Sequence, residues 1–140
     1  MTIEEIERSL PNGFHDADIS TMRLDYVKRA VTMEMSVWMD DLDVTPKYRE
    51  AYRDAVLEFE GMQCVVLDPP DPGYPYAQPE PLWVDLASGP PDPPIPALTR
   101  LPKGCFVARF YVRDWNSFVS VAAMSATLRW TGEVYSRLDE

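Results

Sequence analysis

The sequence predicts an α+β chain that is mainly β. We expect a short N-terminal helix and a curved antiparallel meander sheet of about five or six strands, arranged as a sandwich or an open barrel. Three observations carry this. Apolar and polar residues alternate over long runs, the pattern of strands with one buried face. The clearest spacing of apolar residues by three and four falls at the N-terminus. And 12 of the 14 prolines lie within residues 68–102, a stretch that this density of missing backbone donors keeps out of regular structure. A length of 140 residues fits one domain over 1–140, with 68–102 as a proline-rich excursion within it.

Thr2 and Glu5 form a T-x-x-E capping box, and Ile3, Ile6 and Leu10 follow at helical spacing. Pro11-Asn12-Gly13 stops that helix. From Ala17 to Val27 the chain reads as extended, with Met22, Leu24 and Tyr26 on one side. Val31, Met33, Met35, Val37 and Met39 give the clearest period of two, and a tight turn at Val27–Arg29 joins the two runs as a hairpin. An acidic loop covers 40–47. Tyr48, Ala51, Tyr52 and Ala55 have helical spacing, but alternation through Leu57 and Phe59 favours a strand from Tyr52 to Leu67, with a bulge at Gly61.

The 68–102 stretch reads partly as polyproline II. Within it "PLWVDLA" is apolar enough to dock as a short strand or a helical turn. Tyr74, Tyr76, Leu82 and Trp83 suit either a cover for the domain's own core or a partner-binding surface. Phe106, Ala108, Phe110 and Val112 form the next strand, and "DWN" at 114–116 a turn. The positions from Phe118 to Trp130 then alternate, and small residues at 120–126 suggest a bend or a helical turn.

The formal charge of −10 sets the chain against nucleic acid and anionic membranes and toward a basic partner. No apolar run reaches the length that crosses a bilayer as a helix. The acidic, amphipathic N-terminus does not read as a secretory signal, so the cytoplasm is expected. Cys64 and Cys105 lack C-x-x-C spacing and read as buried, reduced thiols.

His15 is the single histidine. Beside Asp16, with Asp18 on the same strand face, it could act as a general base or a metal ligand. With no second histidine, no metal site is expected, and His15 reads as a fastener that caps or bridges backbone where the first strand begins. Asp40, Asp41 and Asp43 lack the glycine and distal glutamate of a calcium loop and read as a solvated turn. Neither G-x-G-x-x-G, G-x-x-x-x-G-K nor G-x-S-x-G occurs, so no cofactor is expected. Trp38 falls on the polar register of its strand and Trp115 in a turn, positions that suit interface anchors.

"LPNGFHDADISTMRLDYVKRAVTMEMSVWM" resembles a broad set of small uncharacterised bacterial proteins that open on a GFHDA-like segment followed by a β-hairpin. "DPPDPGYPY" and "NSFVSVAAMSATLRW" are similar to later segments of that group. Some comparable small acidic proteins look like immunity proteins of bacterial toxin systems. The resemblance implies fold or partner recognition for Gly13, Phe14, His15, Asp16 and Ala17, with no catalytic role.

The resulting expectation is a non-catalytic cytoplasmic binding protein, an immunity-type inhibitor that meets a basic toxin domain. Its contacts are Trp38, Asp40, Asp41, Asp43, Tyr74, Tyr76 and Trp83. The alternative is a small enzyme or ligand binder with a pocket lined by His15, Asp16, Arg109 and Arg113. A third reading is a structural homodimer, paired through a sheet edge or the long loop.

Overall fold

The computed structural model describes residues 1–40, 50–74 and 80–137. It begins with helix α1 (Ile3–Ser9). Thr2 Oγ1 accepts the Glu5 N–H at 3.2 Å, which satisfies one of the free donors of the first turn. Ile3 and Ile6 are fully buried, so this one short helix packs by its apolar stripe.

Ten strands follow in order: β1 (Pro11–Phe14), β2 (Ala17–Asp25), β3 (Ala30–Trp38), β4 (Ala51–Glu60), β5 (Cys64–Leu67), β6 (Leu82–Leu86), β7 (Phe106–Val112), β8 (Ser117–Ala123), β9 (Ser125–Trp130) and β10 (Tyr135–Ser136). Nine of them form one antiparallel sheet in the order β10-β4-β3-β2-β6-β7-β8-β5, with β9 also on β4. That corrects the expected five or six strands and the simple meander. In two runs, β2-β3-β4 and β6-β7-β8, strands consecutive in the chain pair antiparallel, and β2 pairs with β6 to join them.

The extra strands have a physical origin. The run expected as one strand from Tyr52 to Leu67 is cut at Gly61, whose φ is +64°. Its first part pairs with β3 and its second with β8. Met124 cuts the later run in the same way: β8 pairs with β7 and β5, while β9 crosses to β4. The Met124 N–H donates to the Glu60 carbonyl at 3.0 Å, so the two bends lie against each other. Because β8 and β9 continue one another yet pair at opposite ends of the order, the sheet curves around its core. Inward positions switch parity at the bend, from Val119, Val121 and Ala123 to Ala126, Leu128 and Trp130. A second shift between Ile19 and Thr21 does the same in β2.

The proline-rich stretch supplies β6, an interior strand between β2 and β7. The five residues Leu82–Leu86 contain no proline, so their backbone donors are available to the ladder. Val84 is fully buried, and Leu82 and Leu86 pack on the core. Alternation therefore turns Trp83 and Asp85 to the opposite face, where the candidate site forms.

Candidate functional site

The outer face carries a row of cross-strand partners: Trp83 on β6 opposes Asp18 on β2, Asp18 opposes Ser36 on β3, and Ser36 opposes Asp54 on β4. At one end of this row the turn between β1 and β2 delivers His15 and Asp16. The His15 N–H donates to the Asn12 carbonyl at 3.1 Å, and Asp16 takes a φ of +56°, a conformation that aspartate tolerates better than most residues.

Four charged or ionisable side chains converge there. His15 Nδ1 lies 2.6 Å from Asp85 Oδ1, and its Nε2 lies 3.4 Å from Asp16 Oδ2. Arg113, from the short 3-10 turn after β7, places Nη2 at 2.8 Å from Asp16 Oδ1 and Nε at 3.9 Å from Asp85 Oδ2. The Asp16 N–H also donates to Asp85 Oδ1 at 3.3 Å. The His15 ring meets Trp38 edge-on at 5.9 Å and is 61% exposed. A recess of about 450 Å³ beside it is lined by Glu7, Asn12, His15 and Asp85.

The chemistry open to this cluster is limited by its own pairings. His15, Asp16 and Asp85 bring donor atoms within 4.8 Å of one another, a separation that a metal ion could bridge. The Arg113 guanidinium competes for both carboxylates. His15 Nδ1 is engaged by Asp85, whereas Nε2 contacts Asp16 at 3.4 Å without a hydrogen bond.

A second cluster adjoins the first. Arg137 Nη2 pairs with Asp18 Oδ2 at 2.8 Å. Its guanidinium lies 3.7 Å from the Tyr52 ring centre, with Trp83 at 5.3 Å and Tyr135 at 5.9 Å, a cation held by aromatic faces. Tyr135 Oη and Ser36 Oγ both donate to Asp54 Oδ1, at 3.0 and 2.6 Å. Burial pushes the Asp18 carboxyl above the usual aspartate range, and Arg137 pulls against it. Burial likewise pushes the Tyr52 phenol up to about 12. Tyr52 Oη donates to the Asp16 carbonyl at 3.4 Å, and Arg113 lies 5.8 Å from the Trp83 ring, which joins the two clusters.

The structure thus brings His15, Asp16, Arg113, Trp38 and Trp83 together, merging part of the expected partner surface with part of the alternative pocket. Other expectations are corrected. His15 is an exposed side chain among acids, not a backbone fastener. Asp40 is no solvated acid: it is 3% exposed and its Oδ1 accepts the Ala51 N–H at 2.7 Å. Arg109 lines a different cavity, which adjoins the His15 recess at Glu7 and Leu86. Tyr74 is exposed, next to the Asp71 turn that binds Asn116. Asp41, Asp43 and Tyr76 lie outside the described residues. Cys64 and Cys105 are half-buried instead of buried, and partial burial raises both thiols.

Sequence reasoning missed Asp85, Tyr52 and Arg137, and it gave Asp18 no partner. Alternation in "LWVDL" was the available signal, since it places Trp83 and Asp85 on one face. No protein-family model, curated protein or solved structure matches the chain.

Proposed function

We propose that the protein is a non-catalytic binding protein whose acidic, aromatic-bearing face around His15, Asp16, Asp85 and Trp38 meets a basic partner protein, in the manner of an immunity-type inhibitor. The observation that supports this is the exposed ion network of His15, Asp16, Asp85 and Arg113 beside two tryptophans. Its partly exposed carboxylates already hold one guanidinium, and a lysine or arginine of a partner is a group of the same kind. Tryptophan at 38 supplies apolar contact area at small entropic cost. The net charge of −10 draws a basic partner in by long-range attraction.

The test uses the full chain and its D16N/D85N variant as baits in extracts of the source cells. A basic protein retained in stoichiometric amount by the wild type and lost from the variant is expected. Equal recovery on both baits, or no stoichiometric protein on either, would overturn the reading.

The His15–Asp85 contact beside the 450 Å³ recess supports a second reading, a small ligand held at His15. It predicts a compound that protects the wild type but not H15A from thermal unfolding.

A further inference from the structure

The cavity next to the His15 recess has on its wall a buried cation, Arg109, with no described carboxylate within ion-pair distance. Arg109 lies on the outward register of β7 and is 9% exposed. Its Nε is buried with no hydrogen-bond partner, and among the described residues no carboxylate pairs with it. The guanidinium stacks on Phe118 at 4.2 Å, which orients its planar fork. Directly opposite on β8, Ser120 is 1% exposed and its Oγ is also unpartnered. A buried polar group left unsatisfied is costly unless something meets it, and of these two residues Arg109 is the one that lines a cavity.

Arg109 lines a cavity of about 430 Å³, within the range of small-molecule sites. Ile3, Leu86, Leu98 and Val107 supply apolar wall, and Glu4 and Glu7 line it as well. The chain from Ser88 to Pro91 borders it, and Gly89 there takes a φ of +78° with open space around it. One fixed guanidinium among aliphatic side chains matches a single carboxylate on an apolar body. The two glutamates repel any anion there, and a dianion such as phosphate about twice as strongly as a monocarboxylate.

We propose that this cavity binds a small organic monocarboxylate, its carboxylate on Arg109 and its aliphatic part against Ile3, Leu86, Leu98 and Val107. The site is distinct from the surface assigned to a protein partner, so its failure leaves that reading standing.

The test titrates the full chain with isovalerate, with phosphate and chloride at equal ionic strength as comparisons. Readouts are the unfolding temperature and the Nε–Hε resonance of Arg109. Isovalerate is expected to raise the wild-type unfolding temperature saturably and to move that resonance. In R109M the apparent affinity should fall by about ten-fold or more. No saturable response, an equal response in R109M, or a preference for phosphate would overturn the proposal. Should R109M fail to fold, the wild-type resonance decides alone: movement with isovalerate supports the site and its absence overturns it.

Discussion

Glu7 shows how one side chain can be held against its own preference. Its Oε2 accepts the Phe14 N–H at 3.5 Å, yet burial raises its carboxyl above the ordinary value of 4.5, with Glu4 adding to the effect. A folded-state value above the unfolded one means that the folded chain holds this proton more tightly. The Glu7 contribution is therefore most favourable below the ordinary value and is lost as pH rises through the raised one. E7Q keeps an acceptor for Phe14 and removes the charge. At pH 7 it should unfold about one or two degrees above the wild type, a small figure because the group is partly solvated. The gain should close below about pH 4. Thermal melts of both proteins at the two pH values check this, and a gain that persists in acid would contradict it. The residue scale is also where the sequence was least legible. His15 and Asp85 are 70 positions apart, and no local pattern encodes such a meeting. Asp40 reads as the first acid of a solvated run, but its carboxylate is used to bind Ala51, 11 positions on.

At the scale of elements the alternation of the sequence was informative because a strand's two faces have period two. Met33, Met35 and Val37 on β3, and Ala108, Phe110 and Val112 on β7, are buried as their spacing predicts. Alternation does not reveal pairing partners, so single long strands concealed the exchange of neighbours at Gly61 and Met124. Gly61 should be the most sensitive of the sheet's bends. A Cβ there would lie 2.8 Å from Met124 Cγ and 2.9 Å from its Cβ, in addition to the strain of φ +64°. Gly89 has a similar φ of +78° but nothing within 4 Å. G89A should cost about 1 kcal/mol, the backbone effect alone. G61A should cost about 2–4 kcal/mol, because the close approach involves the partner's Cβ and cannot be relieved by rotating a flexible side-chain end. Urea unfolding of the two variants measures the difference. Equal costs would mean that the two bends move apart freely and do not lock the curve of the sheet.

For the whole molecule, 23 acidic against 13 basic residues make compactness work against self-repulsion. The described ion pairs offset little of this. Those of Arg113 are partly exposed, and exposed pairs contribute from nothing to about 1 kcal/mol. The Arg137–Asp18 pair is better shielded, and screening reaches it less. Salt therefore acts mainly on the diffuse term. Between ionic strengths of about 0.01 and 0.15 M the Debye length falls from about 30 to about 8 Å, less than the breadth of a domain of this size. The unfolding temperature should rise over that interval and then level off, because screening removes repulsion between distant acids before it weakens contacts of a few ångströms. The same salt should slow association with a basic partner, since steering depends on the same long-range field. A fall in unfolding temperature over this interval would place the balance of charge in the local pairs of the outer face. The excess of acids would then be a property of that face, with little cost to the fold as a whole.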